Sequence, residues 1–460
     1  MTATPIAATP IAAAPVPAGN PIITGPIVAT ILRLSTPNMM AMVATAAVAI
    51  AETAYVGLLG TAALAGMALV FPMVMLQQMM SAGAMGGGVS SAVSRALGAG
   101  DVERARSLAF HTVLIALAGG LGMTVLFLGI GPALYRLLGG SGAALDQALV
   151  YSNVVFVGAL AIWLCNLLAS VVRGMGNMAV PSSTLLAVAA IQILVGGGFG
   201  LGIGPLPRLG MAGVGLGQVV AYGLGALWLL RFLRSGKGRF VLPLSGVAIR
   251  LDHAADILKV GTVAMLSSFQ SVLTVLILTR LVAQFGEAAL AGYGIGSRLE
   301  FLLIPVTFAI GVSLVPMVGM AIGAGNAPRA RRAAWTGGFM AFAVTGAVGL
   351  AGWLMPEAWA RLFSTDPAVV AAARSYLVWA GPSFGFYGLG LCLYFAAQGA
   401  GRVFGPVLAG TARLLVIAIG GWWLASTGQP AWTMFALVGF AMVVYGLATM
   451  AAIWSTRWGR

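Results

Sequence analysis

Apolar residues fill this chain in long blocks, and the charged positions fall between the blocks. Residues 107–135 contain no Asp, Glu, Lys or Arg, and neither do 147–172, 174–207, 209–230, 260–279, 301–328, 333–356 or 375–401. Each block reaches the roughly 20 residues that an α-helix needs to cross a hydrocarbon layer. Two longer charge-free stretches, 53–94 and 414–456, are broken by turn chemistry such as Ser426-Thr-Gly-Gln-Pro430. The ten-residue alternation of an outer-membrane barrel is absent. The pattern predicts twelve transmembrane helices, near 34–58, 63–87, 108–131, 149–171, 180–202, 211–232, 259–284, 290–321, 334–355, 375–397, 406–425 and 432–454.

Composition agrees: 60% of residues are hydrophobic and 7% charged, where a soluble domain carries about a quarter charged. The fold class is an all-α polytopic membrane protein. A net charge of +14 raises the question of nucleic acid, but the basic residues sort by side. Arg33, Arg95, Arg104, Arg106, Arg173, the 231–259 cluster, Arg329, Arg331, Arg332, Arg402, Arg457 and Arg460 fall on one side. Arg136, Arg208, Arg361 and Arg374 fall on the other, which makes seventeen against four. That asymmetry follows the positive-inside rule and predicts both termini in the cytoplasm of a bacterial inner membrane. No nucleic-acid partner is expected. Residues 1–25, rich in Ala, Pro and Thr, read as a disordered cytoplasmic tail. Cys165 and Cys392 fall inside predicted helices as small packing residues, and His111 and His253 show no metal-ligand spacing. Neither a metal nor a cofactor is expected.

The chain also repeats itself. Gly60-Thr-Ala-Ala-Leu-Ala-Gly66 returns as Gly286-Glu-Ala-Ala-Leu-Ala-Gly292, at an offset of 226. Gly98-Ala-Gly-Asp101 returns as Gly323-Ala-Gly-Asn326, and Gly174-Met-Gly176 with Pro181 returns as Gly399-Ala-Gly401 with Pro406, both at 225. Three matches in order at a nearly constant offset define two tandem halves of six helices each. Parallel halves of this kind are related by a pseudo-two-fold axis along the membrane normal, with a cavity between them and alternating access by rocking. The predicted organisation is a tail (1–25), an N-terminal lobe (26–235), a cytoplasmic linker (236–258) and a C-terminal lobe (259–460).

These residues resemble the multidrug and toxic compound extrusion family over nearly the whole chain after residue 30. The resemblance rests on Ala51-Glu-Thr-Ala-Tyr-Val-Gly57, Gly98-Ala-Gly-Asp101, Gly204-Pro-Leu-Pro-Arg-Leu-Gly-Met-Ala-Gly213, Tyr293-Gly-Ile-Gly-Ser-Arg-Leu-Glu300 and Gly323-Ala-Gly-Asn326. It implies outward transport of organic cations and drugs in exchange for protons or sodium, by a chain expected to act as a monomer in the lipid bilayer. At the place of Glu52 the family usually has Asp, credited with cation coupling, so Glu52 is the expected proton-coupling residue. The alternative is a protonated Glu that only bonds a neighbouring helix. Pro37 matches a family proline implicated in bending the first helix; the alternative is that it marks the helix start.

Relatives proposed to bind sodium place Asn and Asp four apart in the fifth helix. This sequence has Gln192 and Gly196 there, so the second carboxylate is missing and protons are favoured over sodium. In the second half, Arg298, Glu300 and Arg413 form a possible polar site, with Glu300 pairing across the bundle to Arg413; a buried pair that only fixes packing is the alternative. Thr45, Tyr55, Gln78, Asn166, Gln192, Gln218 and Gln270 are candidate cavity residues. A flippase for a lipid-linked saccharide shares the architecture but needs several arginines for pyrophosphate, and only Arg280, Arg298 and Arg413 lie in spans. An intramembrane enzyme would need clustered Asp or His, and no Asp lies in a predicted span. No phosphate-binding loop is present, which leaves an ion gradient as the energy source.

Overall fold

The computed structural model describes residues 21–458, and no strand occurs among them. Twelve rods follow one another: α1 (Ile27–Gly57), α2 (Thr61–Gly98), α3 (Val102–Leu137), α4 (Gly142–Val157 continued by Ala159–Gly174), α5 (Ala179–Leu201) and α6 (Met211–Arg234) build the first lobe. The second contains α7 (Leu251–Ala283), α8 (Glu287–Gly323), α9 (Ala327–Leu354), α10 (Pro367–Gly399), α11 (Phe404–Ser426) and α12 (Ala431–Ser455). Eleven are each long and apolar enough to cross a bilayer, and the two segments of α4 do so together with a 48° bend at Gly158.

The predicted centres of the spans hold, whereas several ends do not. α1 begins at Ile27 and not 34, α2 continues to Gly98 and not 87, and α7 begins at Leu251 and not 259. Arg33, Arg95, Asp256 and Lys259 therefore sit inside helices. A charged side chain marks where hydrocarbon gives way to water, and the backbone can stay helical beyond that point. The linker accordingly runs from 235 to 250, shorter than the predicted 236–258. Most of the predicted 1–25 tail lies outside the described residues. Its last part is corrected: Pro21–Thr24 forms one helical turn with Ile22 and Ile23 buried. Arg329 fastens it by donating to the carbonyls of Ile22 (3.0 Å) and Gly25 (2.6 Å).

The repeated motifs turn out to be helix-junction chemistry. Asp101 caps α3 by accepting from the Arg104 N–H at 2.9 Å, and Asn326 caps α9 by accepting from Arg329 N–H at 3.0 Å. Gly100 and Gly325 before them hold positive φ, 77° and 73°, which favours glycine. Gly98 and Gly323 serve another purpose. A Cβ on Gly98 would lie 2.2 Å from the carbonyl of Met320, and one on Gly323 would lie 2.0 Å from the carbonyl of Arg95. Residues 95 and 320 are themselves 225 apart. Residue i of one lobe thus meets residue j of the other while their equivalents meet in reverse, which is the signature of a two-fold axis between lobes.

Inter-lobe hydrogen bonds and ion pairs among the described residues are confined to the end carrying the linker and the ends of α2 and α8, reaching inward to about mid-depth. Ser35 contacts Ser313 at 3.3 Å, Gln398 donates to the Gly83 carbonyl at 3.3 Å, and Ser91 donates to the carbonyls of Gln398 and Gly399. Asp256 of α7 is clasped by Arg95 of α2 (2.5 Å) and Arg104 of α3 (2.9 Å). Beside it the two histidines, on different lobes, stand edge to face at 5.9 Å. His111 Nδ1 bonds the Ser107 carbonyl (2.8 Å) while its Nε2 accepts from the Arg250 N–H (2.9 Å).

Candidate functional site

Glu52 lies in α1 with 6% of its surface exposed, so the polypeptide must supply what water would. Its carboxylate accepts a hydrogen bond from Gln192 Nε2 of α5 at 2.7 Å. The residue that the sequence comparison places in the sodium-ligand position is thus the direct partner of Glu52. The second such position, Gly196, is closed by packing. A Cβ there would sit 2.9 Å from the Tyr55 hydroxyl, and a Cβ on Gly217 of α6 would sit 2.5 Å from Gly196 Cα. Tyr55 and α6 therefore occupy the space that a longer side chain would need.

A second polar cluster of the same lobe joins α2, α4 and α6. Asn166 Nδ2 donates to Gln78 Oε1 and Ser81 Oγ, both at 2.8 Å, and Gln78 Nε2 donates to the Tyr222 hydroxyl at 2.6 Å. Met79–Met85 of α2 adopts the wider π-type winding beside it, a form frequent at functional sites. Gln218 is buried and reaches only Tyr151, at 3.5 Å. Thr45 is exposed and donates to the Ala41 carbonyl at 3.0 Å. Gln270 belongs to the other lobe, bonded to Thr411 at 2.7 Å. The seven candidate cavity residues thus fall into separate groups.

Pro37 lies ten residues beyond the start of α1, which removes the helix-start alternative. It stands between two anchors: Ser35 reaches the other lobe, and Asn38 accepts from Ser182 of α5 at 3.1 Å.

In the second lobe Glu300 and Arg413 do meet, at 3.8 Å, and Tyr376 donates to Glu300 at 2.9 Å. Arg413 stacks over Tyr387 (4.8 Å) and Tyr445 (6.0 Å). Arg298 is corrected out of this group: it is exposed, over the ring of Phe363 at 5.1 Å. Two positions along a helix turn through about 200°, so Arg298 and Glu300 leave on opposite faces. Sequence reasoning missed Tyr376, Tyr387 and Tyr445, which carry no charge to stand out among apolar neighbours. It also missed Asp256, placed in a loop.

Two six-helix lobes about a pseudo-two-fold axis, with a carboxyl buried in the first and an ion-paired one in the second, define a multi-pass membrane transporter. The chain belongs to the MatE family, whose model matches residues 37–196 and 264–424, once in each lobe. It is similar to the "FAD transporter" of Shewanella oneidensis, 26% identical over 409 residues that cover 86% of this chain and 88% of that protein. It is also similar to the "Probable multidrug resistance protein NorM" of Thermotoga maritima, 24% identical over 438 residues, covering 92% and 87%. Among solved structures, a MOP superfamily transporter from Pyrococcus furiosus superimposes with a TM-score of 0.85 at 22% identity, over 96% of this chain and 99% of that one. The family's members are transporters, and multidrug efflux is its common theme.

Proposed function

We propose that this chain is a secondary-active antiporter of a bacterial inner membrane, exporting organic cations and drugs in exchange for protons. The observation that carries the reading is Glu52, a buried carboxyl that accepts from the neutral donor Gln192, with the Tyr55 hydroxyl also beside it. Such a group can exist charged or protonated, and each state favours a different packing of α1 against α5. Protons are favoured over sodium because Gly196 supplies no ligand and Tyr55 fills its space, leaving too few oxygens to replace a hydration shell. The seventeen-to-four charge asymmetry supports cytoplasmic termini. With that orientation the lobes meet at the cytoplasmic side, as in the outward-facing half of an alternating-access cycle.

A flippase is disfavoured because Arg280 and Arg298 are exposed and Arg413 is already engaged. A second substrate reading, a flavin nucleotide, is favoured by the similarity to the Shewanella oneidensis protein. Proteoliposomes loaded with ethidium or with FAD test both. Ethidium movement driven by an imposed pH gradient, unaffected by a sodium gradient and lost in Glu52→Gln, is expected. Sodium-driven movement, or full activity in the variant, would contradict the reading. Movement of FAD alone would transfer the assignment to the flavin.

A further inference from the structure

We infer that a groove between α9 and α12 binds one anionic phospholipid, apart from the transport path proposed above. The groove has a volume of about 580 Å³ and is lined by Trp335 and Phe339 of α9 and by Leu447, Met450, Ala451 and Trp454 of α12. Its lining is almost wholly apolar, and its aromatic wall is ordered. Trp335 stacks on Phe339 with centroids 5.8 Å apart and meets Trp454 edge-on at 6.1 Å. Trp454 is 76% exposed, on an outer surface that faces lipid in a membrane. A channel of this shape takes an acyl chain.

The headgroup chemistry comes from the rim. α9 begins and α12 ends at the same side of the molecule, where the Arg331 guanidinium donates to the Thr456 carbonyl at 2.9 Å and ties the two helices together. Going outward from the groove, Arg332 lies one helical turn from Trp335, and Arg457 follows three residues after Trp454, just past the end of α12. Arg332 and Arg457 are exposed and meet no carboxylate among the described residues. Neither α9 nor α12 contains an Asp or Glu. Two guanidinium groups, Arg332 and Arg457, therefore stand without a carboxylate just beyond the tryptophan pair, beside Arg331, which the Thr456 carbonyl holds. Guanidinium is suited to bind phosphate oxygens in pairs. A zwitterionic headgroup brings a quaternary ammonium alongside its phosphate and leaves the net positive charge of the rim unmatched; an anionic one meets both groove and charge.

Native mass spectrometry of the full chain, with phosphatidylglycerol or phosphatidylcholine of identical acyl chains, tests this. A basic residue near an anionic lipid surface contributes about 1 kcal/mol, or about fivefold in binding. Phosphatidylglycerol is expected to be retained preferentially, with Arg332→Gln and Arg457→Gln each lowering the preference about fivefold. Arg231→Gln, an exposed change on α6, should leave it unchanged. Trp335→Ala should shorten retention of the same lipid without altering its preference over phosphatidylcholine. Equal retention of the two lipids in the unmodified chain would overturn the site. So would an equal loss in Arg231→Gln, which would mean general surface charge and no defined groove.

Discussion

At the scale of single residues, Glu52 stands apart: of the many buried polar side chains of the first lobe, it is the one acid among the described residues. Glu52→Gln preserves the shape and the Gln192 contact while removing the titrating proton. It is expected to lower gradient-driven ethidium transport at least tenfold, while ethidium binding followed by fluorescence polarisation persists. Gln192→Leu removes the 2.7 Å donor to the carboxylate. Leaving a buried polar group without a partner costs about 1–3 kcal/mol, visible as a lower Tm of the purified protein. Gly196→Ala puts a methyl 2.9 Å from the Tyr55 hydroxyl, and overpacking of this kind costs about 1–3 kcal/mol. Tyr55→Phe should recover part of that loss, and additive effects would contradict the packing explanation. Glu52 and Gln192 were legible in the sequence because an acid within a charge-free block cannot hide, and because the family resemblance aligned the fifth helix. The tyrosines around Arg413 were not legible. Neutral side chains in apolar helices show their role only once the helices are placed side by side.

At the scale of the element, the helix ends and bends matter most. Asp101→Ala and Asn326→Ala each delete a cap and should cost about 1 kcal/mol. The two caps lie in different lobes, so the losses should add in a double variant measured by thermal unfolding. Pro37 interrupts α1 between its anchor to the other lobe at Ser35 and its anchor to α5 at Asn38. A proline leaves one carbonyl without its donor and permits a bend there. Pro37→Ala is expected to slow transport while keeping or raising Tm, since a continuous helix is the stabler one. A fall in Tm with unchanged transport would assign Pro37 to packing. The existence of each span could be read from hydrophobicity because the bilayer fixes a minimum length. The boundaries could not, since Arg95, Asp256 and Lys259 remain helical in water beyond that length.

At the scale of the whole molecule, two lobes meet through Asp256 held between Arg95 and Arg104. These side chains are partly exposed, at 18% for Arg95, 24% for Asp256 and 45% for Arg104, so screening keeps the contribution of the clasp to about 1 kcal/mol. Asp256→Asn is therefore expected to raise alkylation of a Ser91→Cys probe about fivefold. Ser91 is fully buried at the lobe contact, and the native Cys165 and Cys392 are buried as well, giving a low background. Unchanged alkylation would show that the clasp is not what keeps this end closed. The two-fold relation was visible as a sequence offset, whereas which glycines touch across it required the fold. If export is exchanged for protons at Glu52 as proposed, substrate binding should release the proton that Glu52 holds. The most direct test adds ethidium to the purified protein in a lightly buffered solution and records proton release with a pH indicator. Release is expected from the unmodified chain and none from Glu52→Gln, although both bind ethidium. Equal release by the variant, or binding without release by the unmodified chain, would contradict exchange at Glu52.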